Sequence, residues 1–219
     1  MARYRNKVRG YCGKNTGPLG EGEHVVPKCL YPETTDPRIQ RIKIPSCPDC
    51  NNSWEADEAH FKTMLAMCGP NPTPAQAELW QRSLRGFDRG THGLNEVHSI
   101  SKQLVSSPIL DARGHPFRRV FPHKDPRVVR VLKKVVRGLA HFQTGDIVAD
   151  DRVSVLPENP PFPAYQHELT DVFSLPEVFI ARAFFPRLAG GLDLHSTWLL
   201  EFFGAVRFYG LVEKEAKTD

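Results

Sequence analysis

Two short stretches of this 219-residue chain carry the side chains best suited to chemistry. The first is Gly22-Glu23-His24-Val25-Val26-Pro27, with an acid directly before a histidine. The second, about 23 positions on, is Ser46-Cys47-Pro48-Asp49-Cys50-Asn51-Asn52. An unperturbed histidine pKa of about 6.5 leaves much of the imidazole neutral at pH 7, ready to take a proton. An acid beside it, with an amide or imidazole from a facing helix, offers the oxygen-rich ligands that a hard divalent cation prefers. Hydrolysis of a phosphodiester needs both, a water deprotonated near neutrality and a cation on the phosphate. Neighbouring side chains of a strand point to opposite faces, so Glu23 and His24 meet one phosphate only at a strand end or bend. Gly22 and Pro27 frame such a bend.

The five cysteines, Cys12, Cys29, Cys47, Cys50 and Cys68, are odd in number and fall within the first 70 residues. The basic start MARYRNKVRGYCGK has no hydrophobic stretch behind it. That pattern predicts a cytoplasmic chain with no secretory signal, in which a C-x-x-C pair reads as metal ligands rather than a disulfide framework. Cys12, Cys47 and Cys50 supply three thiolates, and a closed structural zinc site needs four ligands. Cys29 is the nearest candidate for the fourth, although its KCLYP context suits a buried packing residue equally well.

The ordered set of Tyr11-Cys12-Gly13-Lys14, then GEHVVPKCLYPE, then RIKIPSCPDCNNSWEADEAHF resembles the HNH endonuclease family, the ββα-metal or His-Me finger nucleases of small prokaryotic and phage type. The resemblance spans about 50–60 residues. It implies a metal-dependent endonuclease that hydrolyses DNA, or RNA by the same chemistry, with Mg²⁺ or Mn²⁺ as catalytic ion and a structural Zn²⁺. His24 is then the general base, Glu23 a metal ligand and Asn51, just after the second cysteine, another. Two positions depart from the pattern. The family's middle Asn has no counterpart in RIKIPS, where Ile42 or Ile44 falls, and Arg9 stands where a first knuckle would have its leading cysteine. The missing Asn favours the alternative of a zinc-stabilised nucleic-acid-binding module without catalysis.

If residues 51–67 form one helix, Glu55 lies roughly 40° and 6 Å from Asn51, close enough to assist at the cation. Glu58 lies roughly 20° off but about 10 Å along the axis, better placed for the rim, and His60 sits near 180° away, facing elsewhere.

The elements that must position these groups predict an α+β fold in three parts. Residues 1–68 form an N-terminal ββα-metal (HNH) finger with a zinc knuckle. Residues 69–125, broken by GPNPTP, RGFDRGTHG and ARGHP, form an irregular connector with a short helix near 74–85. Residues 126–219 form a C-terminal domain in which a helix at 126–141 packs on a small antiparallel sheet. Asp125 and Pro126 suit the start of that helix. Val128, Val131, Leu132, Val135 and Leu139 make its apolar stripe, with Arg130, Lys133, Lys134 and Arg137 opposite. Strands are expected at 177–185, 197–203 and 205–213, the last two as a hairpin about Gly204.

No apolar run approaches the roughly 18 residues of a membrane span, so no membrane partner is expected. The net charge of +4 is unevenly placed: residues 111–140 hold nine Lys and Arg against two acids, and 141–219 hold six against twelve. A basic helix face on a nuclease would contact phosphates beyond the metal, which makes Arg130, Lys133, Lys134 and Arg137 the expected nucleic-acid surface. The other histidines, including His92, His98, His115, His123, His141, His167 and His195, are expected to be structural or at the surface.

Overall fold

In the computed structural model, the described residues are 9–14, 22–68, 72–87, 95, 98–102, 125–157, 168–186 and 194–215. Most of the expected connector, with His92, His115, His123 and also His167, lies outside them. The described residues are mixed α and β, with two antiparallel sheets among them.

The N-terminal part begins with β1 (Glu23–His24), paired antiparallel with β2 (Lys43–Ile44) in the register Glu23 to Ile44 and His24 to Lys43. Burial alternates along RIKI: Ile42 and Ile44 are buried, whereas Arg41 and Lys43 stay partly exposed on the other side. The expected single helix at 51–67 is two helices, α1 (Pro48–Asn52) and α2 (Glu55–Met67). Asn51, Asn52 and Ser53 are weak helix formers, and the Ser53 hydroxyl donates back to the Cys50 carbonyl at 3.0 Å. Trp54, at the break, tucks its ring 4.8 Å from Tyr11 in an edge-on contact. Helix α3 (Pro74–Phe87) agrees with its expected position and packs on α2.

Helix α4 (Pro126–Thr144) starts where Asp125 caps it, accepting from the Arg127 N–H at 2.8 Å, and ends at Gly145 with φ 80°. The second sheet has the order β3 (Val153–Pro157), β7 (Val206–Glu213), β6 (Leu194–Phe202), β5 (Phe179–Phe184), β4 (Thr170–Leu175), all antiparallel. β5, β6 and β7 are the three expected strands, and the β6–β7 turn carries Gly204 at φ 66°. β3 and β4 were not expected. Their sequences, VSVLP and TDVFSL, are short, and β4 lies half exposed at the sheet edge. No helix among the described residues is long and apolar enough to cross a membrane.

The expectation of a one-sided α4 fails. The helix is a wedge with the N-terminal part on one flank and the sheet on the other, and one continuous apolar cluster runs from Tyr11 and Val25 through Val131 and Val135 to Trp198 and Phe208. Two glycines mark how closely the layers approach. A β-carbon on Gly210 would lie 2.4 Å from a Val136 methyl, and one on Gly138 would lie 2.8 Å from the Tyr11 hydroxyl and 2.9 Å from both Val25 methyls. Alanine is favoured over glycine in a helix interior by about 1 kcal/mol. Gly138→Ala is nevertheless expected to destabilise by about 1–3 kcal/mol through overpacking. Urea unfolding reads the sign, and a stabilised variant would mean that Tyr11 and Val25 do not seat on Gly138 of α4.

Candidate thiolate metal centre and histidine site

The Cys12, Cys47 and Cys50 sulfurs lie within 4.8 Å of one another, with Cys12 to Cys47 at 4.0 Å. Tetrahedral zinc with bonds of about 2.3 Å separates its sulfurs by about 3.8 Å, so these three thiols fit a thiophilic ion such as zinc. Local sequence explains the convergence. The 9–14 turn is closed by Arg9 and Lys14 (Arg9 N–H to Lys14 carbonyl, 3.1 Å), which presents Cys12. Cys47 caps α1, its sulfur accepting from the Cys50 N–H at 3.3 Å, and Pro48 starts the helix. That bond holds the Cys47 thiol below its ordinary pKa, with Arg9 adding positive charge, whereas burial pushes Cys50 up to about 12.

Cys29 is not part of this group. Its thiol donates to the Glu58 carbonyl at 3.4 Å, and burial pushes it up to about 12, the state of a packing residue. The expected fourth ligand is therefore corrected. Arg9 stands by the cluster instead, its Nε buried without a hydrogen-bond partner.

Around the Glu-His pair, β1 sends its two side chains to different neighbours. Glu23 pairs with the ammonium of Lys134 on α4, which also pairs with Glu58 on α2. The His24 ring lies 6.0 Å from the Tyr31 ring, with its Nδ1 buried and unpartnered. Its pKa is lowered to about 4, first by burial and then by Lys43, Arg41, Lys28 and Lys134. Three of those cations flank the strand pair, and the Arg41 guanidinium stacks 4.5 Å above the Tyr31 ring centroid. A cleft of roughly 590 Å³ opens beside them, with Lys28, Tyr31, Arg41, Arg82, Glu55 and Glu58 in its lining.

Among the described residues, Glu23, His24 and Glu55 do not converge into one donor group. Asn51 is exposed in the last turn of α1, its N–H donating to the Cys47 carbonyl at 2.8 Å, and Glu55 is exposed in the first turn of a different helix. The one-helix geometry that brought them together is lost at Trp54. Among the described residues, the three cysteines form the one group of three or more His, Cys, Asp or Glu donors that converge. With Glu23 held by an ammonium, Glu23, Asn51 and Glu55 do not fit a Mg²⁺ or Mn²⁺ site. His60 faces away from the site as expected, buried with its Nε2 3.1 Å from Asp125.

Of the basic residues of α4, Lys134 and Arg137 are corrected as a nucleic-acid surface, whereas Arg130 is exposed. Lys134 and Arg137 are buried: Arg137 donates to the Tyr11 carbonyl at 2.6 Å and the Val148 carbonyl at 2.8 Å. Arg130 pairs with Asp57 at 2.7 Å and Lys133 with Asp150 at 3.3 Å. These cations stitch α4 to its neighbours. The cations that do face a cleft, Lys28, Arg41 and Arg82, were not singled out from sequence. The signal for Arg41 and Lys43 was present in the alternation of RIKI beside a histidine-bearing strand.

No family model, no curated protein and no solved structure matches this chain.

Proposed function

We propose that the chain hydrolyses phosphodiester bonds in nucleic acid, with His24 as general base. The observation that carries this reading is a neutral, half-buried imidazole set among Lys28, Arg41 and Lys43. Cations grouped around a group that is itself uncharged attract a polyanion without repelling it. His24 takes a proton from a water, the resulting hydroxide attacks phosphorus, the bond to the leaving oxygen breaks, and that oxygen is protonated by solvent. A phosphate bound beside His24 raises its pKa from about 4 toward neutrality, which strengthens the base when substrate is present. The same order of residues underlies the resemblance to HNH endonucleases. Zinc is the proposed occupant of Cys12, Cys47 and Cys50, and serves structure. No step is assigned to Mg²⁺ or Mn²⁺.

DNA is the first substrate to test, with an RNA of the same sequence alongside. The zinc-loaded chain is expected to cleave one of them; no cleavage of either, with or without added divalent ions, would overturn the reading. The double variant Arg41→Ala/Lys43→Ala is expected to raise KM while kcat changes little. It should also reduce the salt slope of binding by about 1 for each phosphate that is no longer neutralised. The engagement of Glu23 by Lys134 favours a second reading, a nucleic-acid-binding module without catalysis. Salt-dependent binding without cleavage in the wild type would select it.

A further inference from the structure

We infer that the Lys134 ammonium is the resident cation of the Glu23–Glu58 carboxylate pair and keeps Mg²⁺ and Mn²⁺ out of it. The lysine side chain has no solvent exposure, and its Nζ contacts Oε1 of both acids. The Trp54 ring closes another side, its centroid 5.1 Å from Nζ. Three separate segments therefore meet at one buried charge: β1 brings Glu23, α2 brings Glu58 and α4 brings the cation.

Two carboxylates around a buried cation are the donors a hard divalent ion would seek. Here the position is filled by a side chain that has nowhere else to go. One turn before Lys134, Arg130 is tied to Asp57, and one turn after it Arg137 is tied to the Tyr11 and Val148 carbonyls. Helix α4 cannot rotate the lysine outward without breaking those bonds. A divalent ion entering the pair would strip a buried ammonium of both its partners, and an unpaired buried charge is strongly unfavourable. The Trp54 ring face adds a cation–π contact to the two carboxylates that hold the ammonium.

The exclusion of divalent ions does not rest on the hydrolase reading above.

The test is Mn²⁺ binding to the zinc-loaded chain, followed by electron paramagnetic resonance and calorimetry. The wild type is expected to take up no Mn²⁺ at the pair, and Glu58→Gln is expected to change nothing. Lys134→Met is expected to gain a Mn²⁺ site at least tenfold tighter, and the gain is expected to vanish in Lys134→Met/Glu58→Gln. A lysine with a merely structural role would produce no such gain. Wild-type Mn²⁺ binding abolished by Glu58→Gln overturns the inference, as does a folded Lys134→Met chain without the new site. Should Lys134→Met not fold, the comparison of wild type with Glu58→Gln decides alone. A chain that cleaves nothing would sink the hydrolase reading and leave these binding results standing.

Discussion

His24→Ala is expected to lower cleavage by about 10²- to 10⁴-fold, the usual weight of a positioned general base. Its pH dependence separates this role from a merely structural one. A histidine at the ordinary value of about 6.5 would lose half its activity near pH 6.5 as it protonates. With His24 held near 4 by burial and by Lys43, Arg41 and Lys28, kcat/KM of the free protein is expected to stay level from pH 8 down to about pH 5 and to fall only near pH 4. Stability carries the same signature. The folded pKa lies below the unfolded one, so the unfolded chain binds the extra proton, and stability falls as pH drops from about 6.5 toward 4. That contribution is fully present above pH 6.5. His24→Ala is expected to flatten both slopes, whereas loss of cleavage with an unchanged stability slope would show that another group titrates. An acid limb of kcat/KM at pH 6.5 in the wild type would refute a buried, cation-flanked imidazole.

The sequence was most legible where local chemistry decides structure. The Asp125 cap, Pro126 and the 3.6-residue apolar stripe marked α4 because each acts within one turn. The C-x-x-C pair and Cys12 met as expected, since a capping cysteine followed by Pro48 sets its own local geometry. What stayed hidden depends on the second layer of packing. Lys134 and Arg137 look like a solvated face because periodicity shows only which residues are apolar, not that a second partner covers the polar side. Their burial is decided by Glu23, Glu58 and two backbone carbonyls more than 70 residues away for the glutamates. Likewise the break at Ser53–Trp54 is small in sequence, yet it assigns Asn51 and Glu55 to different helices.

Cys47→Ser is expected to abolish stoichiometric zinc binding and to unfold the N-terminal part at a lower temperature than the wild type. The three sulfurs join the 9–14 turn to the start of α1, beside the Gly10 N–H bond to the Pro45 carbonyl and the Tyr11–Trp54 ring contact. Metal binding free energy becomes folding free energy when the unfolded chain has no preformed site. Classical zinc-finger peptides gain about 10–16 kcal/mol in this way, as much as the whole stability of an ordinary domain. A site with three protein thiolates supplies less, and about 5 kcal/mol would shift the midpoint by roughly 10–20 °C for a chain of this size. Cys12→Ser should behave alike, because the turn it anchors also carries Tyr11, whose ring meets Trp54 and whose carbonyl accepts from Arg137. Cys29→Ser is the control: its thiol only donates to the Glu58 carbonyl, so zinc content by mass spectrometry should stay at one ion per chain. Zinc retained at full stoichiometry in Cys47→Ser, or lost in Cys29→Ser, would place the metal elsewhere. Because α1 leads through Trp54 into the helix that bears Glu58, loss of zinc is also expected to loosen the Lys134 pair, seen as faster amide exchange along α2 and β1.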